Sequence, residues 1–227
     1  MATLPSSSTL AHLLEALYLH HGRPQSDGPD DVLGTLVRTI LSQQTTSASA
    51  SKAFGQLVDC FEGDWQAIAD APLDCVVEAV AIAGLARQKA SRIQTLLHAI
   101  YSETGEHSLE FLHERSPDEA RDYLCAFKGV GPKTAAYTLM AAAEMPLFPM
   151  DTHILRIFRR FGWLDDSTSD AAAHTQFEPL IAPAERFAAH VVLVGHGRKV
   201  CHARQPDCPN CPVARDCLHG LEHGSKT

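Results

Sequence analysis

Four cysteines, Cys201, Cys208, Cys211 and Cys217, form a C-x6-C-x2-C-x5-C run that fixes what the last fifth of the chain can become. Four thiolates this close in sequence can converge on one metal centre, and four is the number a 4Fe–4S cluster requires. An all-thiolate zinc site competes, because soft thiolates suit both. Structural zinc sites usually present two short C-x2-4-C pairs with a longer spacer between them. Only one short pair exists here, flanked by spacings of six and five. The run therefore favours iron–sulfur and leaves zinc open.

A disulfide framework fits poorly, since the N-terminal residues show neither a basic stretch nor a signal-like apolar run. A reducing, cytoplasmic setting is the expectation. No apolar run approaches the ~20 residues needed to span a bilayer, so no membrane association is expected. Cys60, Cys75 and Cys125 lie scattered in apolar helical patterns and are expected to be buried, inert thiols.

At 227 residues the chain can bury a core in one domain or two small lobes. Its formal charge of −8 by itself argues against a nucleic-acid partner. The distribution matters more: sixteen of the 19 Lys and Arg residues fall from Arg87 onward. Acids gather elsewhere, as in Glu103, Glu106, Glu110 and Glu114. One basic face on an acidic body is compatible with this pattern, as is a uniformly solvated acidic surface.

Apolar residues recur at helical spacing almost throughout. Leu10, Leu13, Leu14 and Leu17 mark an early amphipathic helix. Further helices are expected over Val32–Ser42, Ala48–Phe61, Leu73–Ala83, Arg87–Tyr101, Pro132–Ala143, Asp151–Phe161, Ala171–Ile181 and Ala184–Gly195. Ser116-Pro117-Asp118-Glu119 has the form of a capping box with proline at the first helical position. Nothing alternates with period two, so the fold class is all-α. The first seven residues and the tail after Leu221 are expected to be loose.

The richest segment is Leu124-Cys-Ala-Phe-Lys-Gly-Val-Gly-Pro-Lys-Thr-Ala-Ala136. A helix ends near Phe127, Gly129-Val130-Gly131 turns, and a new helix starts at Pro132. Glycines let the backbone approach a partner closely, and the head of a helix offers amides that bind phosphate without cationic side chains. An ordinary helix–turn–helix explains the same residues. Lys133, at the second position of the new helix, is a candidate amine for Schiff-base chemistry, with a solvated surface lysine as the plain alternative. Asp151, in Pro149-Met150-Asp151-Thr152-His153, is placed to cap the helix that follows, a role compatible with catalysis.

Together these blocks resemble the helix–hairpin–helix DNA glycosylases, specifically their endonuclease III branch. Leu41-Ser42-Gln43-Gln44-Thr45 is similar to the helix end whose glutamine fills the gap left by a flipped base. Gly84-Leu85 through Lys89-Ala90 is similar to the wedge-bearing turn. Phe127 to Ala135 is similar to the hairpin with its lysine, Met150 to His153 to the block with the aspartate, and the cysteine spacing to the family's cluster loop. The match runs from about Leu33 to Cys217.

The resemblance implies two helical lobes flanking a DNA-binding cleft. One is a six-helix barrel over roughly residues 29–146 containing the hairpin; the other, a cluster lobe, is formed by 1–28 plus 147–227. It implies catalysis by Lys133 and Asp151, with Lys133 attacking the sugar of a nucleotide extruded from the duplex. DNA contacts are implied for Gln44, Leu85, Lys89, Gly129, Val130, Gly131, Thr134, Arg198, Lys199 and Arg204, and cluster ligation for the four cysteines. The expected partner is double-stranded DNA containing damaged bases or abasic sites, bound by a monomer. The relatives that excise adenine commonly lack this lysine and carry a glutamate at the position of Thr39, so oxidised or ring-saturated pyrimidines are the implied substrates. A non-catalytic iron–sulfur DNA-binding homologue and a glycosylase with shifted lesion specificity are the alternatives.

Overall fold

The computed structural model describes residues 2–26, 28 and 30–223. Among them the helical spacing resolves into twelve α-helices and six short 3₁₀ segments, with no strand. The helices are α1 (Ser7–His21), α2 (Val32–Ser42), α3 (Ser47–Cys60), α4 (Trp65–Asp70), α5 (Leu73–Ala79) and α6 (Ala86–Thr104). There follow α7 (Pro117–Cys125), α8 (Pro132–Ala142), α9 (Thr152–Arg160), α10 (Asp170–Phe177), α11 (Arg186–Lys199) and α12 (Leu218–His223). None is long and apolar enough to cross a membrane. The chain divides into two units, Met1–Asp27 with Pro146–Thr227, and Gly28–Met145.

The second unit is built around α2, which packs against α3, α6 and α8. Val32, Leu33, Leu36, Val37, Ile40 and Leu41 are all fully buried on it. At roughly 1.5–3 kcal/mol for each large side chain taken out of water, this helix is the main hydrophobic post of the unit. Asp31 caps it, its carboxylate accepting from the amides of Leu33 and Gly34. The capping box at Ser116 forms as expected and starts α7, which packs on α8.

In the first unit the leucine face of α1 packs on α11, and α11 in turn on α9. Ile154, Leu155, Ile157 and Phe158 of α9 are buried there, with Phe158 stacked on Phe177 at 4.4 Å. The opposite face of α9 carries Arg156, Arg159 and Arg160.

Several expectations are corrected. Residues 2–6 are tied down: Ser6 caps α1, the Thr3 amide donates to Gly162 O, and the Ala2 amide donates to Asp165. Glu222 and His223 belong to α12, while residues 224–227 lie outside the described residues. The helix expected over 73–83 ends at Ala79 and gives way to a 3₁₀ turn over Ala81–Ala83. The helix expected to stop at Gly195 runs on to Lys199. Its Gly197 packs so closely that a Cβ there would lie 2.7 Å from the His153 Cβ. Cys60 and Cys75 are exposed rather than buried; only Cys125 is partly covered, and burial pushes its thiol up.

Candidate active site

The hairpin lies in the Gly28–Met145 unit. Gly129 takes φ = +90°, a left-handed conformation that favours glycine, and a Cβ there would meet the Arg92 side chain at 3.0 Å. Gly131 has ordinary extended backbone and open space where a Cβ would be. Pro132 then opens α8 with no side-chain cap. The amides of Lys133 and Thr134 stand at the head of this helix, where the first N–H groups have no intrahelical acceptor. Lys133 is exposed and Thr134 half-buried. Val130 has a different role from the one expected. Its side chain is buried and its amide donates to Phe127 O, so it anchors the turn from within.

Two further loops of this unit carry Gln44 and Leu85. Both residues are exposed, and both adopt left-handed backbone, at φ = +54° and +49°. Such strain in non-glycine residues persists only where the surroundings over-determine it, and it concentrates at functional sites. Gln43 joins its loop to the hairpin: its Nε2 donates to Gly129 O at 3.2 Å, and its Oε1 accepts from Arg92 at 3.0 Å. The Thr39 hydroxyl donates to Thr35 O at 2.7 Å within α2.

Lys89 departs from expectation. It is 1% exposed, so it is not a surface contact. Its ammonium donates instead to Leu41 O and Ala83 O, each at 2.8 Å, and burial lowers its pKa.

In the other unit Asp151 is the N-cap of α9 and is 7% exposed. Its Oδ1 accepts from the amides of His153 at 2.8 Å and Ile154 at 2.9 Å. Both capping bonds end on one oxygen, which leaves Oδ2 outside the cap. Four residues apart on the same helix, Arg156 and Arg160 grip the cysteine loop. Arg156 donates to Cys201 O and Gly197 O, and Arg160 donates to Cys201 Sγ at 2.9 Å and His202 O at 2.8 Å.

All four cysteines of the run are free thiols and line one cavity with Ile157, Phe161, Val200 and Val213. Burial, followed by the nearby sulfurs, pushes Cys211 up to about 11 and also raises Cys208 and Cys217. Four thiolates can persist in such a place only around a compensating cation. In that lining the four cysteines offer an all-thiolate donor set, of the kind that holds an iron–sulfur cluster or a zinc ion.

His196 also reaches the cavity. It is buried, held down to about 4 by that burial and by His21, and so neutral at ordinary pH. Its Nε2 lies 3.6 Å from Cys211 Sγ, and its Nδ1 lies 3.0 Å from His21 Nε2. Arg198, Lys199 and Arg204 are exposed, and none has an ion-pair partner among the described residues. Gln43, Arg92, Arg156, Arg160 and His196 carry parts of these arrangements that the sequence motifs did not assign. The i, i+4 arginine pair on α9 was the one local signal among them.

Comparison with known proteins agrees with this architecture. The family described as HhH-GPD superfamily base excision DNA repair protein matches residues 37–183. An endonuclease III of Sulfolobus acidocaldarius is 31% identical over 194 residues, covering 85% of this chain and 84% of that protein. An endonuclease III of Thermotoga maritima is 28% identical over 198 residues, 86% of each chain. A trapped endonuclease III–DNA covalent intermediate shares the fold with a TM-score of 0.82 at 23% identity, over 98% of this chain and 100% of that one. The chain belongs to the HhH-GPD superfamily of base excision DNA repair proteins, in its endonuclease III branch.

Proposed function

We propose that this protein is a bifunctional DNA glycosylase and abasic-site lyase acting, as a monomer, on oxidised or ring-saturated pyrimidines in double-stranded DNA. The observation that carries this reading is the exposed Lys133 amine at the uncapped head of α8, directly after the Gly129–Gly131 turn. The amides there suit a backbone phosphate, which would bring the neighbouring sugar within reach of the amine.

In the proposed reaction the Lys133 nitrogen forms a bond to C1′ as the bond from C1′ to the base breaks. The base leaves with the electron pair and takes up a proton, and the amine gives up one of its own. The sugar ring opens to a protonated Schiff base. Loss of a C2′ proton then expels the 3′ phosphate with the C3′–O electron pair, which is β-elimination. Asp151 supplies a fixed negative charge for the cationic sugar and a site for proton transfer. Gln44 and Leu85 fill the space left by the extruded nucleotide. Arg198, Lys199 and Arg204 are surface cations suited to phosphate.

We also propose that Cys201, Cys208, Cys211 and Cys217 hold a 4Fe–4S cluster. The all-thiolate set, its one short and two longer spacings, and the Arg160 guanidinium donating to Cys201 Sγ support it. When bound, the cluster supplies a structural crosslink, because nucleophilic base excision requires no electron transfer.

Borohydride reduction in the presence of a duplex with a single abasic site tests the lyase reading. A covalent protein–DNA adduct is the expected result. Binding to the lesion without any adduct would replace the reading with that of a non-catalytic DNA-binding homologue.

Asp151→Asn separates catalysis from capping. Asparagine caps a helix about as well as aspartate, so the melting temperature should hold. The single-turnover rate of base release should fall by about 10²-fold, the scale of a lost electrostatic or acid–base group. An unchanged rate would leave Asp151 as a cap alone.

A further inference from the structure

A lone ammonium inside an apolar helix face needs a physical reason. Lys89 shares the buried stripe of α6 with Ile93, Leu96, Leu97 and Ile100, and no carboxylate pairs with it among the described residues. Burying an unpaired cation is costly unless its protons find acceptors. Here the acceptors are Leu41 O and Ala83 O, each 2.8 Å from Nζ.

These carbonyls have something in common. Leu41 lies in the last turn of α2, and Ala83 ends the 3₁₀ segment Ala81–Ala83. Carbonyls at helical C-termini lack intrahelical donors and carry partial negative charge, so one cation caps two segments at once. Each capped carbonyl stands just before a strained, exposed residue. Gln44, at φ = +54°, follows Leu41 by three positions, and Leu85, at φ = +49°, follows Ala83 by two. Neither left-handed residue is a glycine, so their conformations rely on what fixes the chain immediately upstream.

We propose that Lys89 is a positioning residue: by bridging Leu41 O and Ala83 O it locks the Gln44 loop and the Leu85 turn in one register, so that both side chains are presented to the DNA stack together. This rests on the reading that Gln44 and Leu85 fill the gap left by an extruded nucleotide. It assigns Lys89 no contact with DNA and no part in the chemistry.

The test reads insertion rather than catalysis. A duplex carrying a tetrahydrofuran abasic-site analogue opposite 2-aminopurine reports unstacking as a rise in fluorescence. Wild-type protein should give that rise. Lys89→Met, which keeps the apolar stem and removes the ammonium, should bind the duplex yet lose most of the rise. Lys89→Gln, milder because it can still donate to one carbonyl, should lose part of it and serves in place of Lys89→Met if that variant does not fold.

A structural role alone is separated by background. In wild-type protein Lys89→Met should slow single-turnover base release about tenfold, the scale of a misplaced substrate-positioning group. In a Gln44→Ala/Leu85→Ala background it should change the rate by less than about twofold, because the residues through which it acts are gone. Equal losses in both backgrounds, or a full fluorescence rise in a folded Lys89 variant, would overturn the proposal and leave the lyase reading intact. No rise with wild-type protein would remove gap filling, and the Lys89 role with it, while borohydride trapping still decides the lyase reading.

Discussion

Lys133→Gln is expected to abolish both the borohydride-trapped adduct and strand cleavage, with binding to lesion duplex weakened by less than about tenfold. The Schiff base needs a primary amine, and an amide nitrogen cannot supply one. Lys133 is exposed at the second position of α8, so its replacement leaves no cavity and no buried polar group unpaired. Glutamine is also close to lysine in helix propensity. Stability should therefore stay within about 0.5 kcal/mol, as for other surface substitutions. Binding should largely survive because the proposed phosphate grip rests on backbone amides at the helix head, which the substitution leaves in place. A Lys133→Gln protein that still traps would move the nucleophile elsewhere. Lys128, exposed on the near side of the same turn, would be the next residue to replace. Retained strand cleavage without trapping would instead require a mechanism with no covalent intermediate.

The hairpin, the Asp151 cap and the cysteine run were legible in the sequence because each is local. A turn glycine, a capping carboxylate and four ligands within 17 positions reveal themselves by spacing alone. The capping box at Ser116 formed for the same reason. What the sequence hid depends on residues far apart in the chain. Gln43 is joined to Gly129 across 86 positions, and Arg160 to Cys201 across 41. Lys89 shows the limit most clearly. A lysine beside a turn that resembles a DNA wedge is naturally assigned to phosphate. Yet Lys89 falls on the same helical stripe as Ile93, Leu96 and Ile100, at spacings of four, three and four. That phase signals burial even though the residue is charged. The short helices α4 and α12 carry no periodic signal, because six residues make fewer than two turns.

The asymmetry extends to how the two units hold their functional parts. In the Gly28–Met145 unit the loops are fixed by a close-packed core and two cations of α6, Lys89 and Arg92. The cysteine loop has no comparable core. Between Cys201 and Cys217 its regular structure is two three-residue 3₁₀ turns, Cys208–Asn210 and Ala214–Asp216. Val213 is its one buried residue other than cysteine. The guanidinium groups of Arg156 and Arg160 hold its near end, and α12 packs on its far end. That far contact is tight enough that a Cβ on Gly220 would lie 2.3 Å from Ala214 O.

Such a segment cannot offset its own conformational entropy, which runs to about 1–2 kcal/mol per residue for the backbone alone. The proposed centre bound by four thiolates would supply the missing term, and because that binding exists only in the folded state it would add directly to stability. Cys211→Ala is therefore expected to yield protein that lacks broad visible absorption and stoichiometric iron and sulfide. Amide hydrogen exchange should rise across residues 201–223 in this variant while α2 and α8 keep their protection. Removing the thiol leaves three ligands around a charged centre, and it also takes away the sulfur that faces His196. Cys60→Ala is the control, since Cys60 is exposed in the last turn of α3 and should leave colour, iron content and exchange unchanged. Zinc at one equivalent with no iron, in wild-type protein prepared without oxygen, would overturn the cluster assignment. A Cys211→Ala protein that lacks iron yet exchanges normally would show that the loop is held by its arginine contacts and by α12 rather than by a metal centre.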